Sequence, residues 1–209
     1  KKQQGKYSDF YLNYGLDYDT RNSSFNPNKG NKISFYQKLP IVSTGNEITN
    51  SLVYTKYKAL NDSTGMVGKA SFYLKAVNSL DGSDVRISKR ANVPYNRLRG
   101  FEKGKVGPKD NTEYIGGNYV STLNFSTNLP SILRSVESLD FSYFIDVANI
   151  WGVDYDSTIN DSKKIRSATG IALEYLSPVG PLTFSFTQPI TKHSSGKTET
   201  FRFNLGTTF

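Results

Sequence analysis

Thr200-Phe201-Arg202-Phe203-Asn204-Leu205-Gly206-Thr207-Thr208-Phe209, the last ten residues of the chain, alternate greasy side chains with polar or small ones. A strand has a period of two, so this alternation turns one face to an apolar medium and the other to water. That is the pattern of a transmembrane β-strand backed by an aqueous lumen. Everything from Ile165 onward reads as three such strands, closing on a terminal aromatic. A soluble sandwich gives the same local alternation, so the remainder of the chain has to decide between the two.

Turn residues upstream divide the sequence into about nine β segments, near 10–20, 31–42, 46–59, 65–79, 115–128, 138–150, 164–176, 181–191 and 198–209. In most of them one parity is apolar: Phe10, Leu12, Tyr14, Leu16 and Tyr18; Leu139, Phe141, Tyr143, Ile145 and Val147; Ile171, Leu173 and Tyr175; Leu182, Phe184 and Phe186. The other parity carries Asn13, Asp17, Asp140, Asp146, Arg166, Glu174, Thr183 and Ser185. Segment 46–59 does not separate cleanly into two faces. Strands of roughly 11 residues, tilted by about 40°, span an apolar band on the order of 25 Å.

The connections alternate in length. Pro40–Asn46, Leu80–Tyr114, Trp151–Lys163 and Thr191–Lys197 fall on one side, and Arg21–Gly30, Leu60–Thr64, Leu129–Glu137 and Ser177–Pro181 on the other. The two longest share the first side, the expected extracellular face, which puts Phe209 at the periplasmic end. Nine alternating strands cannot close an antiparallel cylinder, and an uncovered edge in lipid leaves backbone groups without partners at several kcal/mol each. The expectation is an all-β, antiparallel transmembrane barrel of which residues 1–209 form a part.

Composition agrees. The chain reads as one unit of 209 residues, 36% hydrophobic, with 14 Tyr, 13 Phe and one Trp. A mean hydropathy of −0.49 and the lack of any run of about 18 apolar residues exclude helical membrane spans but not a barrel, whose strands spend half their residues on the lumen. No cysteine is present, so disulfides and thiolate chemistry are excluded. The net charge of +8 comes from scattered lysines rather than a basic patch with stacking aromatics, so no nucleic-acid partner is expected. Lys1–Tyr7 is polar and has no apolar core of a signal peptide.

Enzymatic readings are weak. His193, the single histidine, sits in a polar loop beside Ser194 and Ser195 with no positioned acid, and is expected to be solvated. Asp17 with Asp19, and Asp154 with Asp156 and Asp161, lack the spacing and glycine of a calcium loop and are expected to be solvated too. Gly104-Lys105-Val106-Gly107-Pro108-Lys109 is not a phosphate loop. No catalytic residue, metal or cofactor is expected.

The connection from Leu80 to Tyr114 is too long for a hairpin, and loops of such length are usually functional. Its middle reads Asn92-Val93-Pro94-Tyr95-Asn96-Arg97-Leu98-Arg99-Gly100-Phe101-Glu102-Lys103-Gly104-Lys105-Val106-Gly107-Pro108. With Gly116-Gly117-Asn118, Phe144–Trp151, Arg166–Leu182 and Phe201–Gly206 following in order, the chain resembles the C-terminal part of the BamA family of outer-membrane assembly factors. The resemblance implies the C-terminal portion of a sixteen-stranded barrel in the bacterial outer membrane. The first seven strands and the periplasmic POTRA domains are missing from this sequence.

It further implies that residues 80–114 fold into the lumen, with the tip Leu98, Arg99, Gly100 and Phe101 held by the wall. The resemblance implies that the tip arginine is held by acidic wall residues, a pairing that suits the fixed fork of a guanidinium; for Arg99 the candidate is Asp146, which parity independently puts on the lumen face. The second wall position falls at Asn124, where the family often has glutamate, which leaves a neutral acceptor. Residues 198–209, with Phe201, Phe203, Leu205, Gly206 and Phe209, would supply one side of a lateral seam and a terminal assembly signal, Gly206 being the weak point of the strand. The implied function is insertion of unfolded outer-membrane β-barrel clients, with lipids, assembly-complex lipoproteins, and the rest of the barrel with its POTRA domains as partners. A two-partner secretion transporter of the same superfamily, a passive porin-like barrel and a soluble β-sandwich are the rival readings.

Overall fold

The computed structural model describes residues 6–24, 26–129, 139–159, 161–177 and 180–206. Nine strands form a single antiparallel sheet: β1 (Asp9–Asp19), β2 (Lys29–Ser43), β3 (Glu47–Asn61), β4 (Met66–Ser79), β8 (Tyr119–Asn128), β9 (Leu139–Trp151), β10 (Arg166–Ser177), β11 (Gly180–Thr191) and β13 (Phe201–Leu205). Each long strand pairs with the next along the chain, so β1 and β13 are the two edges and the sheet does not close on itself. The long connection after β4 carries β5 (Phe101–Val106), β6 (Lys109–Asp110) and β7 (Glu113–Tyr114), and β12 (Gly196–Thr198) lies between β11 and β13.

The ladder carries the apolar parity from strand to strand. Leu16 faces Phe35, which faces Leu52, which faces Leu74. At the other end Ile171 faces Phe186, which faces Phe201, and Leu173 faces Phe184, which faces Phe203. The Phe184–Phe203 and Phe186–Phe201 ring centroids lie 5.1 and 5.2 Å apart, each pair contributing about 1 kcal/mol beyond its burial. Phe10, Leu16 and Tyr18 on this face are about two-thirds exposed (66%, 66% and 65%), and Phe201, Phe203 and Leu205 about half. So broad an apolar surface is unfavourable in water and well matched to hydrocarbon.

The opposite face is covered by the long connection. Leu98, Phe101 and Val106 of the loop pack with Val77, Val120, Ala148, Ile150 and Ala168 of the sheet into one buried cluster. The small residues at 148 and 168 let the loop approach the strands closely.

Two strands differ from their expected limits. The strand expected from residue 115 begins at Tyr119, because the preceding residues serve the loop. Gly116 takes φ +71°, Gly117 bridges Ala91, and a Cβ on Gly117 would fall 2.4 Å from the Trp151 carbonyl oxygen. Among the described residues the final strand runs from Phe201 to Leu205: Gly196–Thr198 leaves the sheet to pair with β5, Gly206 lies beyond the strand, and residues 207–209 of the expected 198–209 fall outside the described residues. The face of β3 was obscured because Lys56 and Lys58 share the outer face with Leu52 and Tyr54, while Val53 lies on the inner one. The expected connection 129–137 falls mostly in 130–138, outside the described residues, as do Phe25, Pro178, Val179 and Phe209.

Candidate functional site

The loop tip is built around Asp146, which β9 presents on the loop-covered face with no exposed surface. Arg99 meets it with both arms of its fork: Nε donates to Oδ2 at 2.8 Å and Nη2 to Oδ1 at 2.9 Å, while the Arg99 backbone N–H also donates to Oδ2 at 3.0 Å. The Asn124 side-chain amide gives a fourth hydrogen bond, to Oδ1 at 2.8 Å. A carboxylate has about four lone-pair sites, so Asp146 is saturated. The Arg99 guanidinium carbon also lies over the Phe144 ring, 3.4 Å from its centroid.

Asn124 meets the loop tip as a donor as well as the expected neutral acceptor. Its Nδ2 donates to Asp146 and to the Arg97 carbonyl oxygen at 2.7 Å, and its Oδ1 accepts from Thr122 at 3.1 Å and from Arg97 Nη1 at 3.5 Å rather than from Arg99. A donor is what the position requires, because the neighbouring carboxylate has one lone pair left over from Arg99. Arg97 completes the tip, with Nη1 donating to Ser71 Oγ at 3.2 Å and the guanidinium 4.8 Å from the Tyr73 ring.

Gly100 follows at φ +86°, where a Cβ would stand 3.0 Å from Ala168 Cβ and 3.3 Å from Thr187. The position is glycine because the chain turns left-handed while pressed against two strands. Leu98 and Phe101, on either side, are buried in the cluster. Phe201, Phe203 and Leu205 face outward, and Gly206 borders a 440 Å³ hollow on the loop-covered face together with Arg97, Arg99, Asn124 and Asn204.

Three attachments escaped the sequence reading. Arg202, on the inner face of β13, donates from Nη2 to the Phe101 carbonyl oxygen at 2.5 Å and from Nη1 to that of Tyr95, with Nε on Glu199. Glu199 N–H in turn donates to Gly100 O at 3.0 Å, and β5 pairs with β12. The last strand and the loop tip are thus stitched together. An arginine on the lumen parity of the final strand was the available signal.

At the loop base, Arg86 donates to both Glu47 oxygens (2.6 and 2.8 Å) and to Asp9 Oδ2 at 2.9 Å, with Lys89 3.1 Å from the same oxygen. Hydrogen bonds to Glu47, opposed by burial and reinforced by Asp9, hold the Arg86 guanidinium more firmly charged than usual. The loop is therefore fastened to β1 and β3 at its base, to β9 at its tip and to β13 beside the tip.

The third attachment is in the connection before β10, where Asp161 is buried rather than solvated as expected, while Asp154 is exposed as expected and still accepts hydrogen bonds. Asp161 is 2% exposed and accepts from Lys164 at 2.7 Å, Arg166 at 2.6 Å and Ser195 Oγ at 2.7 Å. Asp154 accepts from the Val85 backbone N–H at 2.7 Å and from Asn118. His193 is also engaged, its Nε2 3.0 Å from the Ile165 carbonyl oxygen, and it does not reach Ser195, whose hydroxyl is spent on Asp161.

Burial alone would raise the Asp161 carboxyl, but hydrogen bonds from Lys164, Ser195 and Arg166 outweigh it and hold the group below the ordinary carboxylate range. Its stabilising contribution is complete above the unfolded carboxylate's pKa of about 3.9 and is lost as pH falls through the lower folded value. Hydrogen exchange of residues 161–166 is expected to stay slow from pH 8 to about pH 4 and to quicken below it. In Asp161→Asn it is expected to be fast throughout.

Comparison with known proteins agrees with this architecture. Residues 1–209 match the model of the Omp85 superfamily domain. The outer membrane protein assembly factor BamA of Neisseria meningitidis serogroup B is 28% identical over 139 residues, covering 54% of this chain and 17% of that protein. The sorting assembly machinery 50 kDa subunit of Saccharomyces cerevisiae is 27% identical over 202 residues, covering 91% of this chain and 41% of that one. The crystal structure of Haemophilus ducreyi BamA lacking POTRA domains 1–3 superposes with a TM-score of 0.85 at 27% identity, over 96% of this chain and 42% of that one. The chain spans less than half the length of each of these relatives. The resemblance to the BamA family, the antiparallel barrel fold and the bacterial outer membrane as its place are borne out by these matches. With its whole length matched by one family model and its strands laid on a BamA barrel, this chain belongs to the Omp85 superfamily.

Proposed function

We propose that the chain is the C-terminal part of a barrel that assembles and inserts β-barrel proteins into the outer membrane, through a lateral seam at β13 and a lumen-anchored Arg-Gly-Phe loop. The BamA and Sam50 relatives support an assembly function in general, since the BamA relatives carry the name of assembly factors. The observation that carries the finer reading is the fastening of one loop to both edge strands, by Arg86 to Asp9 of β1 and by Arg202 of β13 to the carbonyls of Tyr95 and Phe101.

In this reading the loop-covered face is the lumen wall and residues 80–114 fill the lumen. Unfolded β-barrel clients add strands at the edge of β13, which pairs with β11 over only five residues, from Phe201 to Leu205. Backbone groups of the client gain partners there that lipid cannot offer, so strand pairing and apolar burial supply the free energy without a nucleotide. Assembly-complex lipoproteins, the rest of the barrel and POTRA domains would be the partners.

The full-length protein in liposomes is expected to speed insertion of an unfolded client barrel over empty liposomes. Equal rates, or a steady conductance that is indifferent to client, would overturn the proposal in favour of a passive pore. Arg202→Gln is expected to slow insertion severalfold while leaving the β11–β13 ladder formed. The accompanying readout is faster hydrogen exchange at the amides of 196–200, which a loss of client contact alone would leave unchanged.

A further inference from the structure

On the membrane face, near the turn at residues 62–65, β3 departs from the apolar pattern of its neighbours. Lys56 and Lys58 continue outward from Leu52 and Tyr54, and Lys58 stands directly opposite Lys29 of β2. Like charges directly opposed across a ladder are destabilising, and in a low-dielectric setting more so. All three lysines are exposed, and among the described residues no carboxylate lies within 4.0 Å of any of them, although Asp62 borders the same 540 Å³ hollow.

Beside them lies an apolar groove that the register explains. Lys56 pairs with Ala70, Ala70 with Phe125 and Phe125 with Ile145; Lys58 pairs with Gly68, Gly68 with Thr127 and Thr127 with Tyr143. Two small residues on β4 thus sit in a valley between lysines on one bank and aromatic or branched residues on the other. Leu60, the unpaired residue of the bulge between Ala59 and Asn61, leans over Gly68, where a Cβ would be 3.2 Å from its Cδ1. The groove measures about 360 Å³, within the range of small-ligand sites, roughly 300–1,000 Å³.

We propose that this groove binds one anionic phospholipid, with its phosphate on Lys56, Lys58 and Lys29 and an acyl chain over Gly68 and Ala70 between Leu60 and Phe125. The charge selects the occupant: an apolar segment of another protein would leave three facing ammonium groups unneutralised, whereas a lipid brings the anion and the chain in one molecule. Lysines at the end of a membrane-spanning strand reach the headgroup layer with their stems in the apolar zone, the arrangement that binds such lipids. The inference rests on the membrane-spanning fold and is independent of client insertion.

The test is native mass spectrometry of the purified protein released from detergent micelles doped with phosphatidylglycerol or phosphatidylcholine of equal chain length. Phosphatidylglycerol is expected to be retained about tenfold more than phosphatidylcholine. Lys56→Gln with Lys58→Gln should abolish the difference, and Lys56→Arg with Lys58→Arg should keep it. Gly68→Leu, which fills the groove and leaves the charges, should reduce phosphatidylglycerol retention severalfold. Retention of the two lipids in equal amounts by the wild type, or of phosphatidylglycerol unchanged by the glutamine pair, would overturn the site. So would its displacement by inorganic phosphate alone, or a dimer that Gly68→Leu dissolves, which would assign the groove to a second copy.

Discussion

Replacing Asp146 with alanine is expected to release the loop tip and to cost about 3 kcal/mol, the lower end of the loss when one partner of a buried ion pair is removed. The lower end applies because Arg99 keeps 19% of its side chain exposed and recovers some hydration. The change strands the three donors of Arg99 and the amide of Asn124 together, since all four converge on this one carboxylate. At 1.4 kcal/mol per factor of ten, docked loop falls relative to undocked by roughly a hundredfold. Trypsin cleavage after Arg97 and Arg99 in the folded protein, slow in the wild type, is expected to become fast. Asp146→Asn should do nearly as much harm, because its NH₂ group must face one of the donors. Cleavage as slow as in the wild type would mean that the apolar cluster of Leu98 and Phe101 holds the tip without the ion pair.

Gly100→Val is expected to have a comparable effect by a different route. A β-branched residue at φ +86° carries backbone strain of about 1–3 kcal/mol. Its Cβ would also press on Ala168 Cβ at 3.0 Å, on a strand that cannot yield without breaking its ladder. The tip must lift, and with it go the Glu199 to Gly100 hydrogen bond and the Arg202 contact to Phe101. A fall in the melting temperature and exposure of residues 97–101 to protease are the expected measurements. Gly104 is the internal control: at φ +69° it has nothing within 4 Å of an added Cβ, so Gly104→Ala should cost only the smaller backbone term, about 1 kcal/mol, with the tip in place.

The outward faces of most strands were legible because a period of two repeats within each strand and needs no knowledge of its neighbours. The pairing of Arg99 with Asp146 could be read because the family resemblance implied a wall carboxylate for the loop arginine and strand parity put Asp146 on the lumen face. β3 resisted the same treatment, since Lys56 and Lys58 lie on its outer face in line with Leu52 and Tyr54 and break the apolar parity. Asn124 was read by charge alone, whereas its amide matters as a donor to a carboxylate 22 residues away. Asp161 looked like a solvated loop residue because nothing local signals that it meets Ser195, 34 residues further along the chain. Arg202 lay in plain view on the lumen parity, but the carbonyl groups it holds, those of Tyr95 and Phe101, are backbone atoms that leave no trace in a residue pattern.

The measurement that bears most directly on the central claim is a double-mutant cycle on Arg99 and Asp146, read as the rate at which the full-length protein inserts an unfolded client barrel into liposomes. Arg99→Asp and Asp146→Arg are each expected to slow insertion at least tenfold, and the exchanged pair to recover a substantial part of the loss, with the barrel folded in every case. Single variants that insert client at the wild-type rate would contradict the account, because the anchored loop would then have no part in assembly.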